Sequence, residues 1–298
     1  MSWQRALQEL GSLRGFVPLS EHTTLAVGGS ARWYFKPYDR AALVEGMALI
    51  PLDIPLLPLG RGSNLLISDV GFQGLVLDLG SLQAVRCDGT SWEAEAGCRM
   101  SKIAQSAAIH GCTGLEFMAT VPGDLGGGIA MNAGAFGQQV SDVLYEVEVL
   151  HRDGVCQKLP REALDMRYRY TALPQGSVVL SAQFVLQRDS SEVVKARMRE
   201  MRQKRSQSQP LALANCGSVF KNPEGDYAAR LIEAVGLKGH RLGGAQISDL
   251  HANFIVNHGD ARASDVMALM ALAQKRVWEQ FQIRLEPEVR VLQGDTYV

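Results

Sequence analysis

Val121-Pro122-Gly123-Asp124-Leu125-Gly126-Gly127-Gly128-Ile129-Ala130-Met131-Asn132-Ala133-Gly134 is the stretch on which the fold turns, together with the shorter Leu59-Gly60-Arg61-Gly62-Ser63-Asn64-Leu65-Leu66. Each lies beside an apolar run that reads as a strand. Backbone N–H groups without a Cβ in the way can wrap an anion, and glycine lets a diphosphate come close to the main chain. Two such loops suggest a ligand with a pyrophosphate, such as a dinucleotide. The usual frames for that ligand are missing. Gly60-x-Gly62 is followed by Leu65 where a GxGxxG fingerprint needs glycine, no helical pattern follows it, and no GxxxxGK[ST] occurs. A dinucleotide would therefore sit on neither a Rossmann nor a P-loop fold. Taken singly, each cluster reads more simply as a tight turn. The pair, which also carries Ser63, Asn64 and Asn132, moves the balance toward a ligand and leaves both readings open.

Working outward, 298 residues suggest two domains, and 46% hydrophobic with 20% charged residues is the balance of a soluble globular chain. Lys and Arg number 30 against 31 Asp and Glu, so a polycation that coats nucleic acid or anionic membrane is excluded. The longest apolar run, 266–273, is eight residues, far short of the ~18–20 that a spanning helix needs. The N-terminus lacks the apolar stretch of a signal peptide. Five cysteines, an odd number without CxxC, and histidines without HExxH spacing give no metal site, and the cysteines read as buried reduced thiols of a cytoplasmic protein.

Strands are expected at 55–59, 74–79, 143–150 and 178–186, with Asp153-Gly154 as a hairpin turn. Helices are expected at 39–50 and at 101–110, the latter with Ser101 as N-cap and Gly111 as its stop. Ser190-Ser191 opens a basic helix that ends before Gln209-Pro210. Its Lys195, Arg197, Arg199, Arg202, Lys204 and Arg205 lack interleaved aromatics and read as a solvated face, not a nucleic-acid contact. The domain boundary falls in that helix. Beyond it come a helix at 226–235, a strand at 253–257, a long helix at 264–282 with Ser264 as N-cap, and a strand at 284–292. If 284–292 is extended, Glu286, Glu288 and Arg290 share a face, and Pro287 makes it an edge. Exposed paired carboxylates are usually only a solvated face. Ser218, in Gly217-Ser218-Val219-Phe220-Lys221, lacks the GxSxG elbow of a hydrolase nucleophile. Lys238, between Gly236 and Gly239, can meet an anion. The class is α+β with two lobes.

Read in order, these segments resemble the UDP-N-acetylenolpyruvoylglucosamine reductase (MurB) family over about 22–292. The resemblance rests on His22-Thr23-Thr24 with Gly28-Gly29, the two glycine loops ending in Met131 to Gly137, and Tyr168-Arg169. It continues through Gly217 to Pro223, Gly236 to Gly239, His251-Ala252-Asn253-Phe254 and Leu285 to Arg290. It implies a non-Rossmann FAD-binding lobe of the vanillyl-alcohol-oxidase (PCMH) type at 1–195, in two subdomains of about 1–80 and 81–195. Residues 286–298 would return to that lobe, and 205–285 would form a smaller α/β substrate-binding lobe.

The family's activity is NADPH-dependent, FAD-mediated reduction of UDP-N-acetylglucosamine enolpyruvate to UDP-N-acetylmuramate in peptidoglycan synthesis. The resemblance implies non-covalent FAD held by Gly60, Arg61, Gly62, Ser63, Asn64, Leu65, Pro122, Gly123, Gly126, Gly127, Asn132, Ala133 and Gly134. Arg169 and Glu288 would stabilise charge that develops on the enolpyruvyl group, and Ser218 would donate the proton. Glu288 helps an anion only while it holds its proton, a state that burial favours. Tyr168, Asn222 and Lys238 would bind substrate. About fifty residues separate Arg169 from Ser218, which resembles the subgroup without the extra loop whose Tyr closes over the substrate. The expected partners are NADPH and the sugar nucleotide, with neither nucleic acid nor membrane, for a cytoplasmic monomer. Two alternatives stand beside this: a flavin oxidase of the same fold, and a non-catalytic sugar-nucleotide binder. The first loop has no His to tether a flavin, and a binder has no need of a proton donor.

Overall fold

The alternating run at 144–150 and the apolar run at 178–185 lie at the centre of a five-stranded antiparallel sheet. The computed structural model of the chain describes residues 2–297. In it the strand order is Cys156–Pro160, Leu144–Leu150, Val178–Val185, Ser91–Glu95, Val85–Asp88. The Asp153-Gly154 turn closes the first pair with Leu150 opposite Cys156, and Gly154 takes φ +84°, which its missing Cβ permits. A second sheet orders Gly11–Pro18, Ser30–Pro37, Phe72–Asp78 and Leu56–Leu59, the last two parallel. The helix Arg40–Leu49 begins where Asp39 accepts a hydrogen bond from the Ala42 N–H at 2.9 Å.

The chain clusters into two units. One comprises the residues up to Gly15, Trp33–Gly60 and Gly74–Arg205; the other comprises Phe16–Arg32, Arg61–Gln73 and the chain from Ser206 onward. The first unit has one continuous core, in which Leu7, Phe35 and Leu77 join Trp92, Ile103, Phe117 and Phe184. The second has its own core, built on Val266, Leu269, Ala273 and Val277 of the helix Ala263–Phe281, the stripe that its helical spacing predicts. Against that core lie the helix Ala228–Ala234 and an antiparallel sheet ordered Ala214–Ser218, Phe254–Asn257, Ala245–Ile247, Arg241–Leu242.

Local details depart from the sequence reading where long-range bonds take over. The helix at 101–110 runs Met100–Ile109, and Ser101 is not its N-cap, because fully buried Met100 is drawn in and its N–H bonds the Gly123 carbonyl. Ser264 is likewise inside the first turn of its helix, not the cap. The Asp69 carboxylate accepts from the Ala263 and Ser264 N–H groups at 2.9 and 3.0 Å. These bonds hold Asp69 below its ordinary carboxylate range, although partial burial opposes them. The C-terminal strand is only Arg290–Gln293, so Glu286, Glu288 and Arg290 do not share a strand face. Residues before it bond irregularly: Lys221 N–H to the Glu286 carbonyl at 2.9 Å, and Glu288 N–H to the Val219 carbonyl at 2.8 Å. Residues from 286 onward cluster with the second unit and not with the first, because Arg290–Gln293 pairs in parallel with Leu65–Ile67 of that unit.

Candidate active site

In the first unit, the second glycine loop enters a short helix, Leu125–Ala130. Two of its three consecutive glycines are explained by packing. A Cβ on Gly126 would meet the Ala96 methyl at 3.1 Å, and one on Gly128 would meet Met100 Sδ at 2.6 Å. Gly127 is different: it is exposed, and a Cβ there would meet nothing within 4 Å. The fold does not require glycine at 127, and the main chain there is open to a ligand. A Cβ on Gly60 would come to 2.9 Å from Asp124 Oδ2, so the first loop's entry lies against the second loop. Gly123 takes φ +110°. Ala133 is buried and Gly134 half-buried, while Pro122 is exposed.

Asn132 is fully buried, with φ +40°. Its Nδ2 donates to Gln139 Oε1 and to the Arg167 carbonyl, both at 3.1 Å, and its Oδ1 accepts from the Ser141 N–H at 3.0 Å. The side chain expected to touch the cofactor is thus engaged inside the protein. Arg169 sits in the two-residue turn of a hairpin, Met166–Arg167 with Tyr170–Thr171, at φ +58°. Its Nη2 donates to the Gly134 carbonyl at 3.2 Å, and its guanidinium lies 4.9 Å from the centre of the exposed Tyr168 ring.

The basic helix, Ser191–Ser208, is more than a solvated face. Arg205 donates to the Thr120 carbonyl, Arg202 Nε to the Ala119 carbonyl at 3.5 Å, and Arg197 pairs with the buried Glu116. Burial lowers the Arg205 guanidinium to about 10. These bonds pin the turn Glu116–Ala119, which leads into the second glycine loop. The signal was present in the sequence: Arg202 and Arg205 continue at helical spacing the stripe begun by buried Val194 and Met198.

In the second unit, Gly62 takes φ +59°, and a Cβ on it would lie 2.7 Å from the His22 carbonyl oxygen. Arg61 is exposed, Ser63 half-buried, and Leu65 buried in the strand Leu65–Ile67. Asn64 Nδ2 donates to the Glu288 carbonyl at 3.1 Å, and the Arg290 N–H bonds the Asn64 carbonyl at 3.1 Å. Glu288, tied on its other side to Val219, therefore stands between the first loop and the end of the strand Ala214–Ser218. That strand bulges between Asn215 and Ser218, with Gly217 at φ +79°, which delivers Ser218 half-buried at the strand's end. Burial, and then the Glu288 carboxylate, push the Cys216 thiol up to about 12, so this neighbour of Ser218 stays protonated. Structure thus gathers Asn64, Ser218 and Glu288.

Asn222 and Lys238 have other partners in this unit. Asn222 Oδ1 accepts from the Ala228 N–H at 3.1 Å, a capping bond for the helix Ala228–Ala234. Lys238 Nζ pairs with the exposed Glu233 at 3.0 Å, a surface pair of the weak kind that a phosphate can displace. Sequence reading did not single out His251 as a functional residue. It accepts from the Asn253 N–H on Nδ1 at 3.3 Å, and burial, with Lys238 nearby, lowers it. Among the described residues no cluster of His, Cys, Asp and Glu could hold a metal, and no helix is long and apolar enough to cross a membrane.

Comparison with known families accounts for both units. The FAD binding domain family matches residues 31–160, and the C-terminal domain of UDP-N-acetylenolpyruvoylglucosamine reductase matches 209–292. The chain is 43% identical over 288 residues to the UDP-N-acetylenolpyruvoylglucosamine reductase of Synechococcus sp. (strain JA-3-3Ab), covering 95% of this chain and 92% of that one. It is 41% identical over 277 residues to that of Caldanaerobacter subterraneus subsp. tengcongensis, covering 92% of each. The crystal structure of the reductase (MurB) from Thermus caldophilus superposes with a TM-score of 0.82 at 37% identity, covering 95% of this chain and all of that one. Fold and site together define a flavin-dependent oxidoreductase with an FAD-binding domain of PCMH type. The open main chain at Gly127 leaves the close approach that an FAD diphosphate needs. The chain belongs to the UDP-N-acetylenolpyruvoylglucosamine reductase family.

Proposed function

We propose that the chain reduces UDP-N-acetylglucosamine enolpyruvate to UDP-N-acetylmuramate with NADPH, for peptidoglycan synthesis, as a monomer in the cytoplasm. FAD, when bound, would supply the redox chemistry that links NADPH to the enolpyruvyl group. The observation that carries this reading is the family membership, and the gathering of Ser218 and Glu288 with the first glycine loop supports it.

The protein's part is binding and charge. The open main chain at Gly127, with Gly60 to Leu65 and with Pro122, Gly123, Gly126, Ala133 and Gly134, would hold the cofactor. Tyr168, Asn222 and Lys238 would meet the substrate, Lys238 by exchanging Glu233 for a phosphate. Arg169 and Glu288 would stabilise the anion that develops beside the substrate carboxylate. Ser218 Oγ–H would give its proton to the carbon next to that carboxylate. A hydroxyl is a weak acid in water, but this acceptor is a strongly basic carbon.

Anaerobic stopped-flow with Ser218→Ala tests the assignment. Flavin reduction by NADPH should stay within about twofold of wild type, while reoxidation by the enolpyruvyl sugar nucleotide falls by about 10²-fold or more, the range of general acid catalysis. Equal loss in both half-reactions would remove Ser218 from the role.

A further inference from the structure

We propose that Asn132 is a positioning residue for Arg169 and not a ligand of the cofactor. The inference rests on the reading of Arg169 as the group that faces the developing anion. Asn132 lies in the glycine-rich stretch that sequence assigns to FAD, yet it is 0% exposed and both polar ends of its carboxamide are engaged within the protein. One Nδ2 bond holds the Arg167 carbonyl, the last strand residue before the Tyr168-Arg169 turn. Two residues beyond Asn132, the Gly134 carbonyl accepts from Arg169 Nη2 at 3.2 Å. Arg169 is therefore tied at both ends, its backbone through Arg167 and its guanidinium directly, to the same three-residue piece of the second loop.

The surroundings make this piece rigid. Oδ1 accepts from Ser141, and the Val140 N–H bonds the Ala133 carbonyl at 3.0 Å, closing the intervening hairpin onto Asn132. On the far strand of the Arg169 hairpin, the Thr171 hydroxyl donates to the Ile129 carbonyl at 2.6 Å. The left-handed backbone at Arg169, φ +58°, is a conformation that an L side chain rarely keeps unaided, and these bonds hold it. Asparagine suits position 132 twice over. It tolerates φ +40°, and its amide alone offers two donors and an acceptor in one plane. The loop that carries the cofactor thereby also sets the aim of the guanidinium, so flavin seating and anion stabilisation share one anchor.

Holoenzyme variants separate this role from flavin ligation. Asn132→Asp keeps the shape but turns an acceptor toward the Arg167 carbonyl, and Asn132→Gly keeps the backbone angle and removes the side chain. Either should retain FAD with a dissociation constant within about threefold of wild type (~0.65 kcal/mol) and reduce with NADPH at a near-normal rate. Reoxidation by the enolpyruvyl sugar nucleotide should slow about 10- to 100-fold, as a misplaced catalytic group does. In an Arg169→Ala background the same change should slow reoxidation less than about twofold further, because its route of action is already gone. Flavin loss, equal slowing of both half-reactions, or multiplying effects in the double variant would overturn the proposal. If neither variant folds, Gln139→Met removes one partner of the same Nδ2 and is read by the same cycle. Arg169→Ala alone, with undiminished reoxidation, would sink the Arg169 reading instead, an outcome distinct from any given by Asn132.

Discussion

The two glycine loops owe their glycines to different causes. In the first, Gly62 is imposed from within: its φ of +59° and the His22 carbonyl 2.7 Å from a would-be Cβ forbid any side chain. In the second, Gly126 and Gly128 are imposed by Ala96 and Met100, but Gly127 is imposed by nothing in the protein. Their asparagines differ as well. Asn64 is half-buried, with one amide bond to the Glu288 carbonyl, whereas Asn132 is sealed and engaged at both ends. A glycine that packing requires and one that it does not require look identical in sequence. Three-dimensional surroundings tell them apart.

The sharpest way to break this comparison is Gly62→Ala. A left-handed backbone and an overpacked carbonyl together should cost about 3 kcal/mol of folding stability, read as a lower denaturant midpoint with flavin absent. A neutral effect would mean that the loop's conformation is not what demands glycine there. Gly127→Ala should do the reverse. Without cofactor the protein should gain about 0.5–1 kcal/mol from improved helix propensity. Its FAD affinity, by titration of flavin fluorescence, should fall about tenfold, or about 1.4 kcal/mol. Unchanged FAD affinity would leave the open space at Gly127 without a ligand to explain it.

The smallest effect concerns what holds each loop's neighbouring segment. Beyond the first loop, Asp69 caps the helix Ala263–Phe281 as a carboxylate; ahead of the second, Arg205 holds the Thr120 carbonyl as a guanidinium. Asp69 is shifted down on folding, so its contribution is complete above the ordinary carboxylate range near pH 4 and fades as pH falls through its lowered folded value. Arg205, at about 10, does not titrate there. Hydrogen exchange of the Ala263 and Ser264 amides should therefore accelerate as pH drops below about 4, after correction for intrinsic rates. Asp69→Asn should flatten that dependence. An undiminished dependence in that variant would mean that acid acts globally, and not through the cap.

The glycine clusters could be singled out from residue types because each is a local pattern, whereas Arg169, Ser218 and Glu288 became candidates only through the resemblance to the family. The roles of Asn132 and Asn222, and the partner of Arg205, were not legible, because a carboxamide or guanidinium advertises hydrogen-bonding capacity without naming its partner. Asn132 bonds Arg167, 35 residues on, Asn222 caps a helix six residues away, and Arg205 reaches back 85 residues.

By itself the sequence determined the α+β class, most elements, the hairpin at Asp153-Gly154, the stripe of the long C-terminal helix and the order of motifs that mark the family. These depend on backbone preference and hydrophobic period, which act over a few residues. Tertiary structure alone decided that Asp69 caps a helix 194 residues away, that Arg290–Gln293 runs beside Leu65–Ile67, and that Glu288 hangs between Asn64 and Val219. Buried polar groups must find partners, and which partner lies within reach is settled only when distant segments pack together.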